Sequence, residues 1–284
     1  MKKIVFFLLF NSLCLCAPVC MKRLTHGFRV EKMKLELPQN PEWEVPSLSS
    51  EDQQQLIHIL NQSFRYLDRG AQCYVFESED GLYVIKLFRF DQPQNPIRTF
   101  FRTQIKKRSI NSDPLEKIAH LFSACKLAYT LAKKETEIFY LHLNLTKNLL
   151  PIISLRGPLG RSFSLPLDSY RFALQKKAEP LKKVLFSSID SGHIKSCIDS
   201  LFSLLLQRSG KGISNSDGNL FRNFGFIGHQ AVEIDFGNYG YSSDLLLPDR
   251  QKEEISRFVL NLRSWLNYNA PEWTAYLDQK MDSI

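Results

Sequence analysis

Apolar and polar residues alternate from 67 to 88 with the two-residue period that is typical of β-strands. The pair Asp80-Gly81 interrupts the alternation with residues that favour a tight turn, and an apolar, β-branched run follows from 82 to 88. The pattern therefore predicts a β-hairpin. Lys86 lies inside the second strand of this hairpin. It is either an outward position of a half-buried strand or a charge that needs a partner.

Several longer segments place apolar residues three or four positions apart, which is the spacing of amphipathic α-helices. The predicted helices are 51–67, 114–132, 191–205, 255–266 and a short helix after Pro271. Short apolar runs predict further strands at 149–155, 170–175 and 231–234. The chain therefore mixes strands and helices throughout its length.

The composition indicates a folded protein with anionic partners. With 284 residues, 44% of them apolar and 12% aromatic, the chain can bury a core, as one two-lobed domain or two small ones. Its net charge of +8 favours nucleotide phosphate, acidic lipid or nucleic acid, but the basic residues are spread along the chain. An apparent insertion at 91–113 combines five basic residues with two phenylalanines. We interpret it as a solvated face with two aromatic anchors rather than a nucleic-acid or membrane site.

The first twenty residues differ in character from the rest. Lys2 and Lys3 precede the apolar run 4–10, and small or cysteine residues follow it. This order predicts an export signal at 1–20, so we expect an exported or secreted protein. A membrane anchor that is not cleaved, or a buried arm, is the alternative. Residues 21–50 are polar and contain three prolines, which predicts a linker or extended arm before a folded domain at 51–284.

The stretch from 212 to 237 contains the residue types that phosphoryl transfer requires, in the order Asp217, Asn223, Asp235. The first two lie among turn formers, and the third follows the predicted strand 231–234. Phosphoryl transfer needs a carboxylate that orients or accepts a hydroxyl proton, and an amide and a carboxylate that hold magnesium against phosphate. A surface loop followed by an ordinary strand would use the same residues.

Three segments in order resemble motifs of the protein kinase-like superfamily. LDRGAQCYVF from 67 to 76 resembles its glycine-rich loop, VIK ending at Lys86 resembles its V-A-I-K strand, and DFG beginning at Asp235 resembles its metal-binding motif. Gly70 matches the middle glycine of the loop and Val75 its valine, whereas the outer glycine positions hold other residues. The match extends over most of the chain from 67 to 237.

The resemblance implies that ATP binds between the two predicted lobes. Lys86 would contact the first phosphates of the nucleotide and would pair with a glutamate near the predicted helix 114–132, either Glu137 or its substitute Glu135. Residues 176–179, including Ala178, would form the hinge whose backbone binds adenine.

The resemblance also assigns roles to the acidic residues. Asp235 would be the principal Mg²⁺ ligand, Asn223 the second ligand and Asp217 the catalytic base. The family's usual spacing is D-x4-N, whereas Asp217 and Asn223 have the spacing D-x5-N, and no His-Arg pair precedes the aspartate. The spacing from Asn223 to Asp235 is one the family accepts. The metal pair therefore matches better than the base.

The fold implied by the resemblance is α+β: a two-lobed kinase-like domain with a small antiparallel-sheet N-lobe at about 51–175 and a mainly helical C-lobe at about 176–284. Only 47 residues, 238–284, follow the DFG motif, and they contain no A-P-E motif. The resemblance therefore implies a reduced C-lobe, as in atypical kinases, small-molecule kinases and pseudokinases.

Three functions remain open from the sequence. The first is an atypical kinase that binds ATP and Mg²⁺ between two lobes and phosphorylates an unidentified hydroxyl of a protein or small molecule. The second is a catalytically inactive, kinase-like interaction protein, for example a secreted effector. The third is a basic binding protein of the envelope or of nucleic acid. We expect no nucleic-acid partner, and membrane contact only through the N-terminal segment.

Overall fold

The computed structural model describes residues 23–90, 114–187 and 191–284. The predicted export signal at 1–20 and the apparent insertion at 91–113 lie outside the described residues. The described chain forms two compact units, each assembled from separate segments. Unit 1 contains 23–39, 48–90 and 144–173, and unit 2 contains 40–47, 114–143, 174–187 and 191–284.

Both units contain helices and strands. The α-helices are α1 (Ser50–Leu60), α2 (Pro114–Leu131), α3 (Lys133–Thr136), α4 (Leu181–Ser187), α5 (Ser191–Gly210), α6 (Leu220–Asn223), α7 (Pro248–Asn269) and α8 (Thr274–Asp282). The strands are β1 (Ser63–Arg69), β2 (Cys73–Ser78), β3 (Tyr83–Phe88), β4 (Ile138–His142), β5 (Ile152–Arg156), β6 (Ser162–Pro166), β7 (Phe172–Lys176), β8 (Glu179–Pro180), β9 (Ile213–Asn215), β10 (Phe224–Ile227), β11 (Gln230–Glu233) and β12 (Tyr239–Tyr241). Short 3-10 helices occupy Val30–Met33, Pro41–Trp43, Leu167–Ser169, Ser243–Leu246 and Pro271–Trp273.

Unit 1 is built around a mainly antiparallel sheet in which five strands follow the order β6-β5-β1-β2-β3. Only β1 and β5 of these five pair in parallel. The predicted hairpin is confirmed: β2 and β3 are antiparallel, with Val75 opposite Lys86. Gly81 closes the turn with φ at +72°, a conformation that glycine adopts without the steric cost of a side chain.

The predicted helix 51–67 is wrong in its second half. Helix α1 ends at Leu60, and Ser63–Arg69 form strand β1 instead. The apolar residue Phe64 fits the helical spacing, but in the strand it is fully buried. Strand β1 pairs with β2 on one side and β5 on the other, and these non-local hydrogen bonds override the local periodicity.

The segment at 21–50 contributes buried residues to both units. In unit 1, the Phe28 ring packs edge-on against Tyr74 and Phe76 with centroid distances of 5.0 and 5.8 Å. Met33 is 1% exposed in the same unit. In unit 2, Trp43 packs edge-on against Phe122 of α2 at 5.0 Å. The proline-containing segment is therefore an arm that completes apolar packing as well as a connection.

Unit 2 is mainly helical. Its core contains the apolar faces of α4, α5, α7 and α8 together with β10 and β11. Strands β11, β10 and β8 form one small sheet, and β12 and β9 form another. Helix α2 belongs to this unit because it packs against β4 and β12. The prediction of an α+β fold, with a sheet-rich part and a mainly helical part, is confirmed.

Over 23–90, 114–187 and 191–284, no helix combines the length and apolar character that crossing a membrane requires.

Candidate functional site

Two loops of unit 2 converge where the sequence predicts metal ligands. The first loop runs from β9 through α6 and ends at Asn223, and the second follows β11 and contains Asp235. The carbonyl oxygen of Asn223 accepts hydrogen bonds from the backbone amides of Ile234 and Asp235, at 2.6 and 3.3 Å. Residues 223 and 235 are therefore neighbours in space.

The side chain of Asn223 has an unused oxygen. Asn223 is 1% exposed, and its Nδ2 donates to the carbonyl oxygen of Asp217 at 2.8 Å. Its Oδ1 is buried and has no hydrogen-bond partner among the described residues. A buried amide oxygen without a donor is energetically costly, and a hard cation such as Mg²⁺ coordinates oxygens of this kind.

Two carboxylates belong to the same pair of loops. Asp217 and Asp235 are both half-buried, and neither forms a salt bridge within the part of the chain that the structure describes. Asp217 accepts the amide of Asn219 through Oδ1 at 3.1 Å, and Asp235 accepts the amide of Gly237 through Oδ1 at 3.3 Å. These turns orient the carboxylates without neutralising their charges, so the donor set of two carboxylates and an amide fits Mg²⁺.

No group of three or more His, Cys, Asp or Glu side chains is placed to hold a metal within 23–90, 114–187 and 191–284. The set formed by Asn223, Asp235 and Asp217 contains two aspartates and an asparagine, so only two of its residues belong to these four types. That composition is poor for zinc, which favours nitrogen and sulfur, and suitable for Mg²⁺ bound with phosphate oxygens and water.

Asn215 connects the two loops through its side chain. Its Oδ1 accepts the amide of Asp217 at 3.0 Å, and its Nδ2 donates to the carbonyl oxygen of Asp235 at 3.1 Å. The same Nδ2 donates to Glu233 Oε1 at 2.7 Å. One amide group thus contacts the backbone of both candidate carboxylate residues.

A buried charged cluster supports this connection. Arg208 of α5 donates to both carboxylate oxygens of Glu233 at 2.9 Å and to Glu254 of α7 at 2.8 Å. Glu254 Oε1 also accepts the amide of Asn215 at 3.0 Å, and the Tyr239 hydroxyl donates to Glu233 Oε2 at 2.6 Å. We call these five residues the Arg208 cluster.

Burial and charge pairing act in opposite directions within the Arg208 cluster. Burial raises the pKa of the Glu233 carboxyl, and Arg208 and the hydrogen bonds from Tyr239 and Asn215 offset part of that effect. Burial alone would lower the pKa of Arg208, but the charges around it, chiefly Glu233, leave it raised. Burial and the Glu233 charge raise the pKa of Tyr239 well above its usual value. The phenol therefore stays protonated and can donate to Glu233.

Sequence reasoning missed the Arg208 cluster, although two signals were present. Arg208 continues the buried stripe of α5 that includes Leu201 and Leu205, where a charge is out of place. Glu233 interrupts the apolar run 231–234 in the same way. A cation and an anion at otherwise apolar positions are the signature of a buried ion pair.

The two glutamates proposed for Lys86 have other partners in unit 2. Glu137 caps α3 in the left-handed conformation, with φ at 52°, and forms an ion pair with Lys176 at 2.8 Å. Glu135 is 3% exposed and pairs with Lys211 at 2.5 Å. The pairing of Lys86 with either glutamate stays a prediction.

Within unit 1, the glycine-rich segment is the turn between β1 and β2. The amide of Gly70 donates to the carbonyl oxygen of Cys73 at 3.0 Å, and Arg89 donates to the carbonyl oxygens of Ala71 and Gln72. Val75 and the half-buried Lys86 are cross-strand partners. Of the predicted phosphate-contacting residues in this unit, Val75 and Lys86 therefore lie on the β2–β3 hairpin. Gly70 lies in the turn before it, which Arg89 stabilises.

Ala178 lies between β7 and β8 of unit 2, next to a close backbone approach. Gly225 of β10 is opposite Pro180, and a Cβ at Gly225 would lie 2.7 Å from the carbonyl oxygen of Glu179. Only glycine permits this pairing without movement of the backbone. The predicted hinge is thus connected to the strand that directly follows Asn223.

No family model matches the chain, and no curated protein matches its sequence. Among solved structures, WbdD in complex with the kinase inhibitor LY294002 is similar at 15% identity and a TM-score of 0.41, over 76% of this chain and 45% of that chain. Rv3197 from Mycobacterium tuberculosis, in complex with erythromycin, is similar at 14% identity and a TM-score of 0.32, over 85% and 68% of the two chains. This chain thus spans less than half of the WbdD chain. Similarities at this level do not indicate what the chain binds.

Proposed function

We propose that this protein is an atypical kinase-like phosphotransferase that binds ATP with Mg²⁺. The observation that carries the proposal is the unpartnered, buried Oδ1 of Asn223 beside the backbone of Asp235. Both residue types are oxygen donors, and the carboxylate of Asp235 has no salt-bridge partner within the described residues. This arrangement supports a cation site at the two residues that the kinase motifs designate.

Asn223 and Asp235 would hold Mg²⁺, which neutralises charge on the phosphate oxygens when it is bound. Asp217 is the proposed base. The oxygen of the acceptor hydroxyl forms a bond to the terminal phosphorus of ATP, its proton passes to the Asp217 carboxylate, and the bond to the ADP oxygen breaks. The proposal for Asp217 is supported by two hydrogen bonds that hold its backbone in the loop of Asn223: Asn223 donates to its carbonyl oxygen and Asn215 accepts its amide. Lys86 is proposed as the phosphate-binding cation.

A second candidate function is nucleotide binding without transfer. One specific observation favours it: the Asp217 carboxylate already accepts the amide of Asn219 within its own turn, in a loop one residue longer than the usual spacing. A carboxylate held in this way is a weaker base for an incoming hydroxyl. Such a protein would use the ATP-bound form to interact with another protein.

The first prediction concerns ligand binding by the full chain. Saturating ATP with Mg²⁺ should raise the melting temperature by several degrees, because a ligand at about 100 times its Kd stabilises the folded state by about 2.7 kcal/mol. Asp235→Asn should abolish the Mg²⁺-dependent part of this shift in melting temperature. The substitution removes the negative charge but keeps an oxygen that can accept the hydrogen bond from the Gly237 amide. Lys86→Met should weaken the shift produced by nucleotide.

Two matched controls accompany these variants. Asp249→Asn makes the same chemical change at an exposed position of α7, and Lys34→Met does so at an exposed position of unit 1. Both should respond to ATP and Mg²⁺ like the parent protein. No shift in the parent would refute the proposed function. Turnover of labelled ATP that is lost in Asp217→Asn would establish transfer, whereas binding without turnover would establish the second candidate.

A further inference from the structure

Glu233 has an unusual position for a carboxylate. It is 0% exposed, yet four hydrogen bonds reach its two oxygens: two from Arg208 and one each from Asn215 and Tyr239. These donors come from three different places in the chain: helix α5, the start of the first loop and strand β12 after the second loop. The carboxylate is therefore the point at which both loops are fixed.

The backbone of Glu233 extends this connection to the proposed metal ligands. In the β10–β11 ladder it is opposite Phe224, the residue after Asn223, and it lies two positions before Asp235. Its carbonyl oxygen accepts Gln175 Nε2 at 3.1 Å. Any shift of Glu233 would therefore move the backbone on both sides of the site.

We infer that Glu233 is a positioning residue, which holds Asn223 and Asp235 in the relative geometry that Mg²⁺ requires, with Tyr239 and Arg208 acting through it. This inference rests on the proposed function and deepens it. Mg²⁺ demands near-octahedral oxygen geometry, so small displacements of its ligands weaken binding strongly. Groups that orient the ligands accordingly affect metal affinity, typically by about 10-fold to 100-fold when they are changed.

Stability alone is a poor explanation for the cluster. A buried ion pair usually stabilises a fold no more than apolar residues of similar volume would, because desolvation offsets the attraction between the charges. A fully hydrogen-bonded charge network does, however, define one arrangement of the groups that it contacts. The directions of the Glu233 hydrogen bonds, towards both loops, match such a role.

The second prediction tests this inference with a Mg²⁺ titration at saturating ATP, read as the melting temperature of the full chain. Tyr239→Phe removes one hydrogen bond to Glu233 and keeps the ring. It should raise the Mg²⁺ concentration at half-effect by about 3-fold to 10-fold, which corresponds to about 0.7 to 1.4 kcal/mol, the contribution of one ordinary hydrogen bond. Glu233→Gln should raise it further. Binding of ATP without metal should stay unchanged in both variants.

Tyr276→Phe is the matched control. It removes a hydroxyl that donates to the Asp199 carboxylate, also at 2.6 Å, in the same unit but outside the Arg208 cluster. The control should keep the parental Mg²⁺ midpoint, although it too removes one hydrogen bond from a tyrosine to a carboxylate. A merely structural role for Glu233 would give these two variants the same metal response.

The outcomes separate the two proposals. A parent protein that binds ATP with Mg²⁺, together with an unchanged midpoint in Tyr239→Phe, would overturn the positioning role and leave the proposed function standing. A parent protein without Mg²⁺-dependent binding would overturn both. If Glu233→Gln does not fold, Tyr239→Phe decides the question alone. A raised midpoint in Tyr239→Phe with unchanged metal-free ATP binding supports the inference.

Discussion

Among the described residues, each unit contains one arginine that is almost completely buried, and the two are bound in different ways. Arg171 in unit 1 is 2% exposed and donates to the carbonyl oxygens of Leu35 and Leu37, at 2.5 and 3.3 Å. Arg208 in unit 2 is 0% exposed and donates to carboxylates. Burial lowers the pKa of Arg171, whereas the pKa of Arg208 is raised despite burial because carboxylates surround it.

The difference shows that similar burial serves two purposes. Arg171 attaches the N-terminal arm to the body of unit 1, since residues 35 and 37 belong to that arm. Arg208 joins residues that flank the proposed metal site. Neutral carbonyls tolerate the loss of a donor better than buried carboxylates, which would keep an uncompensated charge. The two arginines should therefore respond differently to the same substitution.

The third prediction has the largest expected effect. Arg208→Met should destabilise the protein by about 3 to 5 kcal/mol, because it leaves the buried carboxylates of Glu233 and Glu254 without this cation. Unfolding in urea, followed by circular dichroism, measures the change. Arg208→Met combined with Glu233→Met should recover part of the loss, since the second change removes a buried charge. A single variant as stable as the parent would contradict the assignment of the cluster.

The fourth prediction applies the same change to unit 1. Arg171→Met should destabilise by about 1 to 3 kcal/mol, the cost of leaving buried polar groups without a donor. Amide hydrogen exchange should increase in residues 23–39, because the arm loses an attachment to unit 1. The site in unit 2 should keep its response to ATP and Mg²⁺. A loss equal to that of Arg208→Met would remove the contrast between the two arginines.

The fifth and smallest effect concerns a carboxylate that is only partly buried, in contrast to Glu233. Asp199 of α5 accepts hydrogen bonds from Tyr276, Lys280 and Lys195, at 2.6, 2.6 and 2.9 Å. Burial alone would raise its pKa, but these hydrogen bonds, led by Lys280, lower it to about 2. Because the pKa is lowered, the ionised carboxylate stabilises the folded state when the pH is above the usual pKa of 3.8. This contribution disappears as the pH falls towards the lowered pKa of about 2.

Asp199→Asn should therefore cost about 0.5 to 1 kcal/mol at pH 6, as for other exposed ion pairs. The difference in melting temperature between parent and variant should narrow between pH 4 and pH 2, the interval from the usual pKa to the lowered one. Asp282→Asn, an exposed aspartate of α8, serves as the control and should show no such narrowing. A difference that is constant with pH would contradict the lowered pKa.

Much of the fold followed from local pattern. The β2–β3 hairpin was predictable because alternation and Asp80-Gly81 both act between neighbours in the chain. Helices α5 and α7, which have 20 and 22 residues, were predictable because apolar residues recur at helical spacing within 191–205 and 255–266. The end of α1 was not predictable, because Phe64 fits both the helical and the strand period, and the choice depends on pairing with β5, where its partner is Leu155.

The candidate site divides in the same way. Asn223 and Asp235 could be proposed from the sequence because the order of residue types and the DFG segment resemble kinase-like motifs, and in the structure their backbones are hydrogen-bonded. The Arg208 cluster could not be assembled, because nothing in the sequence shows which distant carboxylate will face a given guanidinium.

The sequence by itself indicated the residues that are proposed to carry the chemistry, the oxygen donors Asp217, Asn223 and Asp235, and the local elements that hold them. Only the tertiary structure decided that Asn215, Glu233 and Arg208 join those elements. The physical reason is that a chain segment sets its own backbone, whereas the partner of a buried charge is selected by packing between helices and strands that are far apart in sequence.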